Sequence, residues 1–280
     1  MAQSESHPPI TVIVPCFNNA AYIEACLQSV AWADEVLLVD SFSSDGTLEI
    51  ARPYISRVLQ HAYENSARQK NWAIPQAKHD WVFVVDTDEQ VTPHLRREVE
   101  AAVSRDSGFT GYRMPRKNIV FGRWLRHGGY WPDYGIRLFR KQRGRYQARQ
   151  VHADILLEGP CGTLTSPLTH YPHRSLKVIK RTLLQRYTSW EALQKFEEGT
   201  RFRWSHLAVR PAGAFLVRNF VKAGYRDGWQ GWLMSGVWGL YVFITYWKLR
   251  ALTAKEGDVG ARPEEFTQDR ATKPSTHRSS

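Results

Sequence analysis

Three carboxylates stand within four residues, directly after an apolar segment of the chain. The segment is Trp81-Val82-Phe83-Val84-Val85, and Asp86, Asp88 and Glu89 follow it. A short, continuous run of β-branched and aromatic residues is typical of a strand buried in a parallel sheet. Because ligands of open α/β sheets bind just beyond the carboxyl ends of the strands, the carboxylates indicate a cation site or a carboxylate pair for acid–base catalysis.

Asp86 and Asp88 have the more informative spacing. Side chains two residues apart on a strand point to the same face, so both carboxylates can bind one divalent cation while Thr87 points away. Oxygen ligands of this kind favour Mg²⁺ or Mn²⁺, which take their remaining ligands from water and from a diphosphate. The alternative is that the two carboxylates only end a strand or cap the next helix, and the pair alone does not decide.

The elements that must position these residues alternate along the first hundred residues. Predicted strands cover "PITVIVPCF", "DEVLLVDS" and "SRVLQH", and predicted helices follow each of them. We expect the first helix to be capped at Asn18 or Asn19, the third to break at Pro75, and the fourth to carry Pro93 in its first turn. This alternation predicts an α/β fold with a mostly parallel sheet and helices on both faces.

Other polar residues fall at the same edge of the predicted sheet. Pro15 ends the first strand, and Asp40 ends the second, where its carboxylate could accept hydrogen bonds from a base or a ribose unless it only shapes a turn. Arg68 and Lys70 lie on the helix before the Asp-x-Asp strand, from which cations can reach phosphates. No glycine-rich phosphate loop is present, so side chains and metal must hold the phosphates.

Charge is distributed unevenly over the 280 residues, whose formal net charge is +11. Residues 1–110 carry 8 Lys/Arg and 15 Asp/Glu, whereas residues 111–150 carry 11 and 1. Such a basic segment can bind nucleic acid, anionic lipid headgroups or phosphorylated substrates, or it can be a solvated surface. Three widely spaced cysteines do not form a disulfide framework, and no apolar N-terminal segment indicates secretion.

The pattern changes after residue 110. Residues 108–122 and 135–148 are predicted to be extended, and residues 174–198 to form a long amphipathic helix. Residues 229–247 carry no formal charge and include four Trp, two Tyr and three Gly. This composition favours a helix at a membrane surface, with a membrane span or a buried core helix as alternatives. We expect the polar tail, residues 255–280, to be disordered.

Four motifs in order resemble glycosyltransferase family 2 with its GT-A fold: "TVIVPCFNNAAYIEACLQSV", "EVLLVDSFSSDGT", "ARQKNWAI" and "WVFVVDTDE". Later segments, such as "GRWLRHGGYWPDYGIRLFRK", resemble the lipopolysaccharide-core glucosyltransferases of that family. The resemblance implies a GT-A domain over residues 1–173, with a donor half (8–110) and an acceptor half (111–173). A helical, membrane-associated extension (174–254) would follow.

The resemblance also implies roles for single residues. Pro15 and Asp40 match positions that bind the nucleotide base, and Asp45 lies in the same loop and is expected to contribute to that site. Arg68 and Lys70 lie where a cation approaches the diphosphate, and Asp86 and Asp88 match the metal-binding Asp-x-Asp. The family inverts the anomeric centre and needs one general base. We favour Asp133, the one acid among residues 111–150, although it could instead pair with Arg137 four residues on. Asp154 and Glu158 are the alternatives for the base.

We therefore expect transfer of a hexose, most simply glucose from a UDP-sugar, to a lipid-linked glycan such as a lipopolysaccharide inner core. The cofactor would be Mg²⁺ or Mn²⁺, and the location the cytoplasmic face of the inner membrane, without a nucleic-acid partner. A polyprenyl-phosphate sugar synthase is the first alternative, and a non-enzymatic basic protein that binds membranes or nucleic acid is the second. A dehalogenase-type phosphatase is disfavoured because Gln90 replaces the Thr or Val of that motif.

Overall fold

The computed structural model describes residues 7–105, 107–147, 154–173 and 175–257. In chain order, these residues form twelve strands: β1 (Ile10–Cys16), β2 (Glu35–Asp40), β3 (Arg57–Gln60), β4 (Trp81–Val84), β5 (Glu89–Gln90), β6 (Gly111–Val120), β7 (Arg123–Trp124), β8 (Tyr134–Arg140), β9 (Gly144–Tyr146), β10 (Ile155–Leu157), β11 (Cys161–Thr163) and β12 (Leu168–His173). Ten of them form one sheet with the order β3-β2-β1-β4-β8-β6-β12-β5, in which β7 and β11 also pair with β6.

The first half of this sheet is parallel, as the alternation of strands and helices predicts. β1 lies between β2 and β4, so that Ile13 is opposite Leu37 on one side and Val84 on the other. All six residues of β2 and all four of β4 are buried. The continuous apolar segments are therefore the central strands, because both faces of each strand are covered.

The second half of the sheet contains both parallel and antiparallel strand pairs, so the predicted parallel arrangement holds throughout only in the first half. β8 runs antiparallel to both β4 and β6, and β5 runs antiparallel to β12. β6 and β12 are parallel to each other. The expected α/β fold of the GT-A type is confirmed. The predicted boundaries of the donor half, the acceptor half and the extension stay predictions, and the sheet is continuous across the first of them through the β4–β8 pair.

Helices cover both faces of the sheet, as expected. Val12 and Val14 of β1 pack in one apolar cluster with residues of α1 (Ile23–Val30) and α4 (Pro93–Ser104). Ile13 packs in a second cluster with residues of α3 (Ser66–Ala73) on the opposite face. A short helix, α2 (Thr47–Ala51), lies between β2 and β3. This alternation along β1 is the period of two that a strand imposes.

Two of the three helix ends predicted from the sequence are confirmed. α3 ends at Ala73, where Pro75 converts the chain to a 3-10 turn, and Pro93 is in the first turn of α4. The predicted cap of α1 is wrong, because the helix begins at Ile23 without a side-chain cap. The side-chain oxygen of Asn19 accepts a hydrogen bond from the Phe17 amide instead, at 2.9 Å.

The C-terminal part of the described chain is helical. The expected helix over residues 174–198 consists of α5 (Leu176–Val178), a π-helical segment (Ile179–Tyr187) and α6 (Thr188–Glu197). Two further helices follow, α7 (Ser205–Leu216) and α8 (Gly228–Gly257), and α8 packs against α6 and α7. Met234, Val237 and Tyr241 of α8 also share an apolar cluster with Val120 and Leu125 from the region of β6 and β7.

One side of α8 is buried and the other is exposed. Its exposed large side chains, which are spaced three, four or eight residues apart, define the aromatic stripe: Trp229, Trp232, Leu240, Phe243 and Trp247. No helix among the described residues is both long and apolar enough to cross a bilayer. Residues 255–257 belong to the end of α8, and the rest of the predicted disordered tail lies outside the described residues.

Candidate active site

Asp86 lies two residues beyond the end of β4 and contacts two buried cations. Its Oδ1 is 2.7 Å from Nζ of Lys70 on α3, and its Oδ2 is 3.3 Å from a guanidinium nitrogen of Arg137 on β8. Lys70 is 5% exposed and Arg137 is 7% exposed. Burial by itself raises the pKa of Asp86, but Lys70 and Arg137 outweigh it and hold this pKa well below its usual value. Asp86 is therefore ionised at every physiological pH.

Glu89 explains the third acidic residue after the strand. It is fully buried, it accepts a hydrogen bond from Arg137 at 2.5 Å, and its second oxygen accepts one from the Asp86 amide at 3.0 Å. Asp86 and Glu89 thus balance the charges of Lys70 and Arg137. Asp88 is the one carboxylate of the three that this group does not neutralise.

Asp88 faces a different set of residues from Asp86. Residues 87 and 88 form a turn, so the expectation that strand alternation places the two aspartates on one face does not apply. Oδ2 of Asp88 is 3.6 Å from Nε2 of His170 on β12, and its side chain is 38% exposed. The backbone of Asp88 also accepts a hydrogen bond from the Tyr171 amide at 2.8 Å. We call residues 86–89 the acidic turn; its Asp88 side chain faces β12.

Asn118 fixes the tautomer of His170. The amide nitrogen of this buried residue donates to the Tyr130 carbonyl at 3.0 Å and to Oδ2 of Asp133 at 3.3 Å. Its amide oxygen is consequently the atom that faces Nδ1 of His170, at 2.7 Å, and Nδ1 must carry the proton. In the neutral imidazole, the lone pair of Nε2 then points towards Asp88.

Asp133 belongs to the same network. Its carboxylate is 2.7 Å from a guanidinium nitrogen of Arg116, and its side chain is 30% exposed. The alternative that Asp133 pairs with Arg137 does not hold, because residues 134–140 form a strand and Arg137 contacts Asp86 and Glu89. Asp133 is thus connected to Asp88 through Asn118 and His170.

The alternative bases lie elsewhere. Asp154 and Glu158 flank β10 in a two-stranded ribbon with β9, and both are exposed. Their hydrogen bonds within the described residues use backbone atoms, with Gln147 and Arg143 respectively. Neither carboxylate contacts Asp86, Asp88 or Asp133 in the described part of the chain. Asp133 is the candidate base that the structure places beside the acidic turn.

The residues expected to bind the nucleotide lie in the loops after β1 and β2. Pro15 is opposite Val39 in the sheet. Asp40 has no exposed surface and accepts hydrogen bonds from the Ser43 amide and the Gln60 side chain. Asp45 accepts from the amides of residues 20 and 47 and so joins the two loops. For a base to contact Asp40, the loop at residues 41–44 would have to move.

Arg68 and Lys70 differ although they are two residues apart on α3. Arg68 is exposed and pairs with Glu64, whereas Lys70 is buried against Asp86. The nucleotide-binding role proposed for each stays a prediction. Asn118, Arg137 and His170 were not predicted as site residues, and Glu89 was noted only as one of three acidic residues after the strand. An arginine within the apolar sequence "GIRLF" was the one available signal, because a buried guanidinium requires a carboxylate partner.

Residues 11–164 match the family model described as glycosyl transferase family 2. The match covers more than half of the chain. The chain belongs to glycosyltransferase family 2. This confirms the resemblance in the sequence motifs and the expectation that the protein is a transferase.

Two curated relatives cover most of this family 2 glycosyltransferase. It is 30% identical over 254 residues to the lipopolysaccharide core biosynthesis glycosyltransferase LpsC of Rhizobium meliloti (strain 1021), with 86% of this chain and 92% of that protein covered. It is 24% identical to the uncharacterized glycosyltransferase RT0209 of Rickettsia typhi, with 89% of each chain covered. Among solved structures, mannosyltransferase PcManGT from Pyrobaculum calidifontis, in complex with GDP-Man and Mn²⁺, is 19% identical at a TM-score of 0.44. The comparison covers 92% of this chain and 78% of the mannosyltransferase chain.

The acidic turn fits a divalent cation that takes few ligands from the protein. No group of three or more His, Cys, Asp or Glu side chains within the described ranges could hold a metal by itself. Mg²⁺ and Mn²⁺ commonly bind through one or two protein ligands together with water and substrate phosphates. The oxygens of Asp86 are engaged by Lys70 and Arg137, whereas Asp88 and Nε2 of His170 face each other across 3.6 Å, a spacing at which both can bind one cation.

Proposed function

We propose that this glycosyltransferase moves a hexose, most simply glucose, from a UDP-sugar to a lipid-linked glycan such as a lipopolysaccharide inner core. The observation that carries the proposal is the network that connects Asp88 to Asp133 through His170 and Asn118. It joins a carboxylate that suits a metal-bound diphosphate to a carboxylate that suits proton transfer. A donor and an acceptor would thus meet between β4, β6 and β12.

The residues have separate tasks in the proposed reaction. Asp88 and His170 would hold the divalent cation, which when bound neutralises charge on the diphosphate leaving group. Lys70 and Arg137 keep Asp86 ionised and fixed at the turn. The acceptor hydroxyl oxygen bonds to C1 of the sugar while the bond from C1 to the diphosphate oxygen breaks, and Asp133 takes the hydroxyl proton. Attack opposite the leaving group inverts the anomeric centre.

The similarity to LpsC supports a lipopolysaccharide core acceptor, because it extends over 86% of the chain, including the acceptor half. The basic segment, residues 111–150, supports an acidic acceptor. The aromatic stripe of α8 supports contact with the cytoplasmic membrane surface, where Trp and Tyr are favoured. A polyprenyl phosphate is the second acceptor class that this combination of basic and aromatic surface suits.

Calorimetric titration of UDP and UDP-glucose, first with Mn²⁺ and then with EDTA, tests the donor site. We expect metal-dependent binding that Asp88→Ala abolishes. Asp80→Ala is the matched control, because Asp80 lies at the opposite end of β4 and forms an exposed ion pair with Arg140. Absence of nucleotide binding in a folded sample would refute the proposal. Transfer assays with a lipopolysaccharide core fragment and with a polyprenyl phosphate then identify the acceptor class.

A further inference from the structure

A cleft of about 660 Å³ lies beside the β6–β7 turn, at the N-terminal end of α8. Its main lining residues define the basic cleft: Phe121, Arg123, Trp124, Arg126, Arg226 and Gln230. This volume is in the usual range for a small-molecule site. Three arginines converge on it, which is the residue type that binds phosphate and carboxylate most effectively.

The one carboxylate that lines the cleft does not neutralise the arginines. Asp227 is buried, and its Oδ2 accepts hydrogen bonds from the amides of Arg126 and His127 at 2.9 and 2.7 Å. Its Oδ1 is 2.9 Å from Nδ1 of His127. Within the described ranges, Arg123, Arg126 and Arg226 form no ion pair. The cleft therefore keeps an excess of positive charge that a bound anion would balance.

Two uncharged polar groups in the cleft also lack partners among the described residues. They are the indole N–H of Trp124, a donor, and the side-chain oxygen of Gln230, an acceptor on a residue that is 8% exposed. An unpaired buried polar group costs free energy. Both atoms belong to side chains that line the cleft but are themselves covered by the protein, so a ligand reaches them only if those side chains move. The Arg126 guanidinium is held 4.1 Å above the Trp124 ring, which leaves its N–H edges available. The three arginine side chains suit an anionic ligand.

The basic cleft lies between the candidate active site and the aromatic stripe. The Leu125 amide donates to the Asn118 carbonyl at 3.0 Å, and the Asn118 side chain contacts His170 and Asp133. On the other side, the rings of Phe121 and Trp229 are 5.6 Å apart, and Trp229 begins the stripe. A membrane-anchored glycan that reaches the active site from the stripe would pass the cleft.

We propose that the basic cleft binds a phosphate or carboxylate group carried by the sugar part of the acceptor. This inference rests on the proposed function and adds to it a recognition site for an acidic sugar, separate from the donor site. Glucose 6-phosphate is the probe, with neutral glucose as the matched ligand control. Binding is followed through the ¹⁵N–¹H indole resonance of Trp124, assigned with Trp124→Phe.

Glucose 6-phosphate should shift the Trp124 resonance and glucose should not. Arg126→Gln and Arg226→Gln should each weaken this binding by about tenfold or more, since each removes a charge-assisted hydrogen bond. Arg52→Gln, which removes an exposed arginine on the 3-10 turn between α2 and β3, should leave the affinity unchanged. An unshifted Trp124 resonance, or equal affinity in all variants, would overturn the proposal. Thermal unfolding of each variant verifies that it is folded.

Vesicles identify the source of the anion. If phosphatidylglycerol vesicles reverse the shift of the Trp124 resonance that glucose 6-phosphate causes, and phosphatidylcholine vesicles do not, the cleft also accepts a lipid headgroup phosphate. If neither kind of vesicle reverses the shift, the anion is the one carried by the acceptor sugar. UDP titration of the same samples separates this proposal from the donor site. If the protein binds glucose 6-phosphate at Trp124 but does not bind UDP, only the proposed function is refuted. If it binds UDP but not glucose 6-phosphate, only the proposal for the basic cleft is refuted.

Discussion

Arg137→Met tests whether the buried charges at the acidic turn act as one unit. The substitution keeps an unbranched apolar side chain but removes the guanidinium group that contacts Asp86 and the fully buried Glu89. Asp86 keeps Lys70, whereas Glu89 loses its ionic partner. Since an unpaired buried carboxylate is strongly unfavourable, the folded state must lose stability.

The expected magnitude follows from burial. Breaking a buried ion pair by removing one partner costs about 3–5 kcal/mol. For a chain longer than 150 residues, each kcal/mol lowers the melting temperature by about 2–4 °C, so Arg137→Met should lower it by roughly 6–20 °C. Arg140→Met is the matched control three residues along β8, because Arg140 pairs with Asp80 at the surface, where such a pair contributes about 0–1 kcal/mol.

Thermal unfolding followed by circular dichroism measures both effects. The double variant Arg137→Met with Glu89→Gln should recover at least half of the loss, because the glutamine is neutral and still offers an oxygen to the Asp86 amide. If Arg137→Met melts within a few degrees of Arg140→Met, the balance of buried charges does not stabilise the turn. If the double variant is no more stable than the single one, Glu89 is not the cause.

Three further predictions concern catalysis, pH and the membrane. Asp133→Asn should lower kcat by about 10²–10⁴ without changing UDP affinity, whereas Asp154→Asn should be neutral in the same transfer assay; the opposite ranking would make Asp154 the base. Asp86→Asn should reduce stability, because it removes the negative charge that Lys70 and Arg137 contact. The pKa of Asp86 in the folded protein lies below the unfolded value of 3.8, so its stabilising contribution is complete above pH 3.8 and is lost as the pH falls towards the folded pKa. Urea unfolding at about pH 6 and about pH 3 measures this. The difference in unfolding free energy between the unsubstituted protein and Asp86→Asn should be smaller at about pH 3. Serine substitutions at the half-exposed Trp232 and Trp247 should reduce sedimentation with anionic vesicles and should lower the melting temperature less than Met234→Ser does, because Met234 is fully buried. Sedimentation equal to that of the unsubstituted protein would refute the membrane contact.

The order of elements and the family could be predicted because their signals are local. Continuous apolar segments give β1, β2 and β4, and Pro75 and Pro93 mark the end of one helix and the start of another. The parallel half of the sheet follows from this alternation. The antiparallel position of β8 between β4 and β6 could not be predicted, since the pairing of distant strands leaves no periodic pattern in the sequence.

The candidate site could be predicted only in part, for the same reason. The position of the carboxylates beyond β4 can be read from the sequence, whereas the structure shows what each of them contacts. Arg137 reaches Glu89 across 48 positions of the chain, and His170 reaches Asp88 from the far side of β6. Such partners depend on which strands are neighbours and on which face each residue points to. Composition likewise identified residues 229–247 as unusual, but only packing against α6 and α7 decided which side chains of α8 are buried and which remain exposed.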